Sequence, residues 1–319
     1  MRDRWGREIS YLRVSVTDKC NLRCIYCSPR AACKLPRDEL LTYEEIKRVV
    51  EEAVRLGVRK VRITGGEPLL RRGIVGLVEM LRGIEGLEEL VMTTNGTLLA
   101  RHAQDLASAG LERVNISIDS LKPDVYRLIT GGELEEALMG LKAAERAGLP
   151  VKVNVVVMRG LNDDEIPRFA EMAVRYGWHV RFIELMPFGV GGALHKLLFF
   201  PSDQILDILR EEGIDLKPLP AEGGSTARTF RAGAGRIGLI SPLSKPFCSS
   251  CNRMRISADG KLRPCLLSGI GIDLKRALRS GAAGDELRSL ILRAAMLKPF
   301  KHNVKPGAIE IRSMAEIGG

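Results

Sequence analysis

Tyr11-Leu12-Arg13-Val14-Ser15-Val16-Thr17, followed by Cys20-Asn21-Leu22-Arg23-Cys24-Ile25-Tyr26-Cys27, joins a strand to a cysteine-bearing loop, and that junction decides the fold. Residues 11–17 read as a first strand. Thr42 and Glu45 then stand at capping-box spacing, which predicts a helix over 43–56 ended by Gly57. A second strand follows at 60–64, and others at 89–93, 113–118, 151–157 and 179–183. Helical segments near 97–109, 133–147 and 163–175 separate them, the last opened by Asn162 and Glu165 at the same spacing. Strands that alternate with helices pair in parallel, because each return to the same edge needs a crossover. The expectation is an α/β fold with its ligand sites at the C-terminal strand ends. The unusual residues fall there: Cys20, Gly65-Gly66-Glu67-Pro68, Thr94-Asn95-Gly96 and Asp119.

After Met186 the rhythm changes. A helix near 202–211 precedes a glycine-rich stretch, and 256–262 predicts a hairpin turning at Asp259-Gly260. Two short helices, near 273–280 and 284–297, lead to a polar tail ending Gly318-Gly319. The chain therefore divides into a core, 1–186, and an extension, 187–319, packed against it.

With 319 residues, 45% hydrophobic and 28% charged, the chain is too apolar for a disordered tail and long enough for a sizeable core. Lys and Arg number 49 against 39 Asp and Glu, a formal charge of +10 that favours an anionic partner without choosing one. No run reaches the roughly 18 apolar residues of a spanning helix, and no apolar signal segment follows Met1-Arg2-Asp3-Arg4. A soluble, cytoplasmic protein with no membrane partner is expected. Aromatics are only 5%, which offers no stacking platform for single-stranded nucleic acid.

The cysteines occupy positions 20, 24, 27, 33, 248, 251 and 265, an odd count grouped toward the two ends. An intracellular chain should not rely on disulfides, so metal or cluster ligation leads. Thiolates are soft ligands suited to iron–sulfur clusters. Three of them on a four-iron cluster would leave one iron open to a small molecule carrying an amine and a carboxylate. Spacing alone leaves open a zinc site on Cys20, Cys24, Cys27 and Cys33 as the lesser alternative. Gly65-Gly66 allows close backbone approach to a ligand, and Glu67 or nearby carbonyls could accept from an ammonium, although a plain turn is also consistent. Cys248, Cys251 and Cys265 flank the predicted hairpin, which can fold the last beside the first two. Zinc completed by Cys33, His195 or His302 is the alternative there. Arg253 and Arg255 alternate along one strand and so share a face; their donor forks suit planar acceptors and phosphate oxygens.

Cys20-x3-Cys24-x2-Cys27, with Tyr26 before the last cysteine and Gly65-Gly66-Glu67-Pro68 downstream, resembles the radical S-adenosylmethionine (SAM) superfamily. Within it, the chain resembles the molybdenum cofactor biosynthesis protein A family, the GTP 3',8-cyclases. The residues that carry this likeness are Phe247-Cys248-Ser249-Ser250-Cys251-Asn252-Arg253-Met254-Arg255, Asp259-Gly260-Lys261, Cys265-Leu266 and Gly318-Gly319. Leu40-Leu41-Thr42-Tyr43-Glu44-Glu45-Ile46, Arg62 through Leu69, Gly223 through Arg228 and Ile240-Ser241-Pro242-Leu243 fit as well.

The resemblance implies an incomplete (βα)6 barrel whose mouth the extension closes, and two 4Fe-4S clusters, one on Cys20, Cys24 and Cys27 and one on Cys248, Cys251 and Cys265. SAM would bind the first cluster, with Tyr26, Gly65, Gly66, Glu67, Thr93, Asn95 and Ser117 as contacts. The second would hold the guanine of GTP. A 5'-deoxyadenosyl radical is expected to take hydrogen from ribose C3', after which that carbon attacks C8. Arg13, Lys60, Arg62, Lys152, Arg181, Arg253 and Arg255 would bind substrate, while Arg253, Arg255, Gly318 and Gly319 assist catalysis. A flavodoxin or ferredoxin as electron donor, a homodimer, and transfer of product to cyclic pyranopterin monophosphate synthase are implied too. The loop 28–34 departs from the family by being shorter and more basic, and Cys33 has no family role.

Overall fold

The computed structural model describes residues 1–27, 35–187, 191–221, 224–302 and 304. Strands β1 (Tyr11–Ser15), β2 (Lys60–Thr64), β3 (Glu89–Thr94), β4 (Arg113–Ser117), β5 (Val151–Val157) and β6 (His179–Glu184) lie side by side in parallel, as expected. Six further strands join the same sheet: β7 (Lys217–Pro218), β8 (Ala227–Ala232), β9 (Gly235–Ile240), β10 (Arg253–Ile256), β11 (Lys261–Arg263) and β12 (Ile272–Asp273). The order is β12-β11-β10-β1-β2-β3-β4-β5-β6-β9-β8-β7. Thus β10 pairs in parallel with β1 at one edge and β9 with β6 at the other, so strands from the C-terminal part flank the core on both sides. The curved sheet is a partial barrel, with helices outside and a polar interior.

Period-two alternation explains that polarity. Leu12, Val14, Val61, Ile63, Val114, Ile116, Val153 and Val155 are buried in the layer shared with the helices. Their neighbours Arg13, Arg62, Asn115 and Asn154 line the interior. The capping box at the start of helix Tyr43–Arg55 is present in both directions: Glu45 N donates to Thr42 Oγ1 (3.1 Å) and Thr42 N to Glu45 Oε2 (2.7 Å). The hairpin is present too, with Ile256 opposite Leu262 and Gly260 at φ +81°.

Several expectations require correction. Asn162 and Glu165 do not cap their helix, Ile166–Tyr176. Asn162 instead ties the ends of β4 and β5, donating to Asp119 O (2.6 Å) and Val156 O (2.9 Å), while Glu165 accepts from Ser120 Oγ and Leu121 N. The segment 97–109 is a 3₁₀ turn, Leu99–Arg101, followed by a short helix, Ala103–Ser108. Helices Ile74–Arg82 and Pro123–Thr130 were not anticipated, nor were β8 and β9. Strand β8 reads Ala-Arg-Thr-Phe-Arg-Ala near the sheet edge and is mostly half-buried, so it carries no clean apolar alternation. Among the described residues, no helix is long and apolar enough to cross a membrane.

Candidate active site

One cavity of about 350 Å³ opens inside the barrel, and Cys20, Cys24, Cys27, Cys248, Cys251 and Cys265 all line it. All six are free thiols. Two sets of three soft donors facing one space suit iron–sulfur clusters. The loops share a device: Leu22 N donates to Cys20 Sγ and Leu267 N to Cys265 Sγ, each at 3.4 Å. Such N–H groups stabilise a thiolate, the ligating form. Among the described residues, no three His, Cys, Asp or Glu side chains converge on a single-ion geometry.

The first loop is clamped from beneath. Gly66 N donates to Thr17 O (2.7 Å) and Glu67 N to Lys19 O (2.8 Å). A Cβ on Gly66 would stand 2.4 Å from Lys19 O, and one on Gly65 2.7 Å from Thr17 O. These glycines are therefore needed for packing against the cysteine loop itself, besides lining the cavity. Glu67 is fully buried and is not part of the cavity wall. Its Oε1 accepts from Leu69 N (3.0 Å) and Thr94 Oγ1 (2.8 Å), and its Oε2 from Asn95 N (2.7 Å). Burial pushes its pKa up to about 7 against these donors. In the structure it binds the end of β3 to the turn.

Asn95 donates to Asn21 Oδ1 (2.9 Å), and its Nδ2 lies 3.9 Å from Cys20 Sγ. Tyr26 lines the cavity and donates to Asp119 Oδ2 (2.7 Å), which burial raises to about 6. Ser117 and Thr93 also line it, Thr93 accepting from Arg62 Nη1 (2.9 Å).

Strand register places the cations in layers. Arg13 stands between Arg255 and Arg62, and one layer below, Tyr11 stands between Arg253 and Lys60. Arg13, Arg62, Arg181, Arg253 and Arg255 all line the cavity. Asn115, with its amide oxygen toward the guanidiniums, accepts from both Arg62 and Arg181, and Arg181 also donates to Asn154 (2.6 Å). Glu184 is the one carboxylate among the described lining residues. Its oxygens accept from Ser202 N, Leu243 N and Ser244.

The crowding is visible in the proton equilibria. Burial alone would raise the Tyr11 phenol, yet Arg62, Arg13, Arg253 and Lys60 bring it down to about 7. Burial, then Arg253, lowers Arg255 to about 10, and burial with Arg62 lowers Arg181 to about 9. A cluster of buried cations with so little carboxylate around it is poised for a polyanion.

Lys60 and Lys152 are not cavity-lining residues. Lys60 shares the inward face with Arg62 but pairs with Glu89 and lies 5.2 Å from the Tyr11 ring centre. Lys152 lies at the bottom of β5, opposite His179, and its charge helps lower that imidazole to about 3, after burial. Gly318, Gly319 and Cys33 lie outside the described residues.

Sequence reasoning missed Tyr11, Asn115, Asn154 and Lys298, all of which line the cavity. Period-two spacing from Arg13 could have found Tyr11. Nothing in the sequence links Lys298 to the hairpin segment 45 and 34 residues before it, where its Nζ donates to Arg253 O (2.6 Å) and Pro264 O (2.8 Å).

Such a barrel, with a three-cysteine loop after its first strand, defines a radical enzyme of the SAM-dependent class, and the comparisons agree. The Radical SAM superfamily matches residues 14–173, and Molybdenum Cofactor Synthesis C matches 178–304. A GTP 3',8-cyclase of Thermodesulfovibrio yellowstonii is 48% identical over the full length of both chains. Those of Pelotomaculum thermopropionicum and Heliobacterium modesticaldum are 45% and 46% identical, also full length. Streptococcus suis SuiB bound to S-adenosylmethionine shares the fold at TM-score 0.62 and 14% identity, covering 89% of this chain and 68% of that one. The chain belongs to the GTP 3',8-cyclase family of the radical SAM superfamily, whose members use SAM and an iron–sulfur centre.

Proposed function

We propose that this cavity converts GTP to (8S)-3',8-cyclo-7,8-dihydroguanosine 5'-triphosphate, the first step of molybdenum cofactor biosynthesis, as the GTP 3',8-cyclase relatives' name indicates. The observation that carries this reading is that two three-cysteine sets and five arginines line one cavity. Cys20, Cys24 and Cys27 would hold one 4Fe-4S cluster, and Cys248, Cys251 and Cys265 the other. When bound, SAM, the first cluster and a reductant supply one-electron cleavage that yields a hydrogen-abstracting carbon radical.

The protein's part is to place the two ligands by charge. Around the first triad stand neutral Asn95, Tyr26 and Ser117 with the carboxyl of Asp119, a setting that tolerates the cationic sulfonium and ammonium of SAM. Tyr26 is held there by Asp119, and Gly65 and Gly66 seat the loop. Around the second stand Arg253 and Arg255, with Arg13, Arg62 and Arg181 completing a floor for the triphosphate. Asn115 fixes two of these guanidiniums, so their donors are oriented before substrate arrives. In this reading the ribose lies between the two triads, C3' toward the first. Lys60 and Lys152 would add positive charge for the substrate from beyond the cavity wall.

In this reading residues 1–186 are the core and 187–319 the extension, whose Gly318-Gly319 end assists cyclisation. A flavodoxin or ferredoxin supplies the electron, the chain is a cytoplasmic homodimer, and cyclic pyranopterin monophosphate synthase takes the product. The test is anaerobic reconstitution with iron and sulfide, followed by incubation with SAM, dithionite and GTP. The expected result is 5'-deoxyadenosine together with the cyclic nucleotide. SAM cleavage without a cyclic product under saturating GTP would refute the proposal.

A further inference from the structure

The second triad comes from two separate segments, and something must hold them in register. Lys298 is 2% exposed, and its ammonium donates to the carbonyl of Arg253, two residues past Cys251, and to that of Pro264, immediately before Cys265. Its charge acts on the thiols of both Cys251 and Cys265. Among the described residues, then, this buried ammonium donates to two carbonyls and to no carboxylate. Burying a cation in that way is costly unless an anion balances it.

A second buried cation completes the brace. Arg7 donates to Cys248 O (2.7 Å), Pro299 O (2.7 Å) and Phe300 O (3.2 Å), while its Nε is paired with Asp3 at 2.6 Å. Trp5 Nε1 donates to Lys298 O (3.0 Å), and its ring packs on Phe300 at 5.2 Å between centroids. Residues 3–7 thus grip the segment 298–300 and the first cysteine of the triad, and Lys298 reaches from that segment to the other two.

We propose that Lys298, anchored by Arg7 and Asp3, is a positioning residue that spaces Cys248, Cys251 and Cys265 for the second cluster and supplies the positive charge balancing its thiolates. This rests on the reading of that triad as a cluster site. With three thiolates on a cluster of core charge 2+, the site carries a net negative charge, and a neighbouring ammonium favours the more negative reduced state. The contacts are with ligand-bearing backbone, so the effect is on the metal site before any substrate binds.

The test uses full-length protein with Cys20, Cys24 and Cys27 changed to Ala, so that iron reports the second triad alone. Reconstituted anaerobically, this background is expected to hold one cluster with a defined electron paramagnetic resonance signal when reduced. Adding Lys298→Met should weaken iron retention about tenfold to a hundredfold against a chelator, and shift the midpoint potential of what remains to more negative values. Lys298→Arg, which keeps the cation, should restore the potential more fully than the affinity. Far-ultraviolet circular dichroism of the metal-free variants checks folding. Should Lys298→Met not fold, Lys298→Arg carries the test through chelator affinity, expected to lie below that of the background. If the background retains a cluster and the folded variants match it in affinity and potential, the brace is refuted while the cluster reading stands. If the background retains no cluster, the cluster reading fails and the brace with it.

Discussion

The two cysteine triads have the same ligand count and opposite surroundings. Cys20, Cys24 and Cys27 sit on one short loop beside Tyr26, Asn95 and Asp119; Cys248, Cys251 and Cys265 come from two segments and are ringed by Arg253, Arg255, Lys298 and Arg7. The first setting suits a cationic cofactor and the second an anionic substrate. In the proposed reading the cysteines hold the clusters, and the charges around them distinguish the end for SAM from the end for GTP.

Exchanging the losses between the triads should break this comparison most sharply. Cys24→Ala should abolish 5'-deoxyadenosine formation, whereas Cys251→Ala should leave SAM cleavage and abolish cyclic product, both read by chromatography of anaerobic reactions. The arginine layer comes next. Arg13→Ala or Arg255→Ala removes a charge-assisted contact worth roughly 1.5–3 kcal/mol, so GTP affinity by calorimetry should fall about tenfold to a hundredfold, with SAM affinity unchanged. Equal weakening of both ligands would show that the two ends are not electrostatically distinct.

The clamp under the first loop gives a pH-dependent prediction. The pKa of Glu67 is raised on folding from 4.5 to about 7, so its contribution to stability is full below 4.5 and is lost as pH rises to about 7. That shift corresponds to roughly 3 kcal/mol. The melting temperature of the metal-free protein should therefore carry a falling component across this window, which Glu67→Gln removes. A pH profile identical in Glu67→Gln and the parent chain would count against it. Smallest should be Lys60→Met: its partner Glu89 is half-exposed, and such pairs contribute at most about 1 kcal/mol. GTP affinity should change less than about fivefold, far less than for Arg62→Ala.

The triads themselves, the strand that carries Arg253 and Arg255, and the parallel core could be read from sequence because each is encoded locally, by spacing or by alternation. The misreadings share a cause. Asn162 and Glu165 have capping-box spacing, but the ends of β4 and β5 compete for their side chains and win. Glu67 also holds Thr94 Oγ1 and Asn95 N from inside its glycine turn, partners that lie 27 and 28 residues away and that the motif does not announce. Lys298 and Arg7 act across 34 and 241 residues of sequence respectively, to Pro264 and to Cys248, and no local pattern announces such contacts. Strand β9 was missed since its partner β6 is reached only after the helix Ser202–Glu211.

The central claim is that one cavity presents the ribose of GTP to chemistry begun at the first triad while the second triad and the arginines hold the rest. It is tested most directly with GTP deuterated at C3', in an anaerobic reaction analysed by mass spectrometry. The account predicts that the deuterium appears in 5'-deoxyadenosine as cyclic product accumulates. Cyclic product formed alongside unlabelled 5'-deoxyadenosine would contradict it.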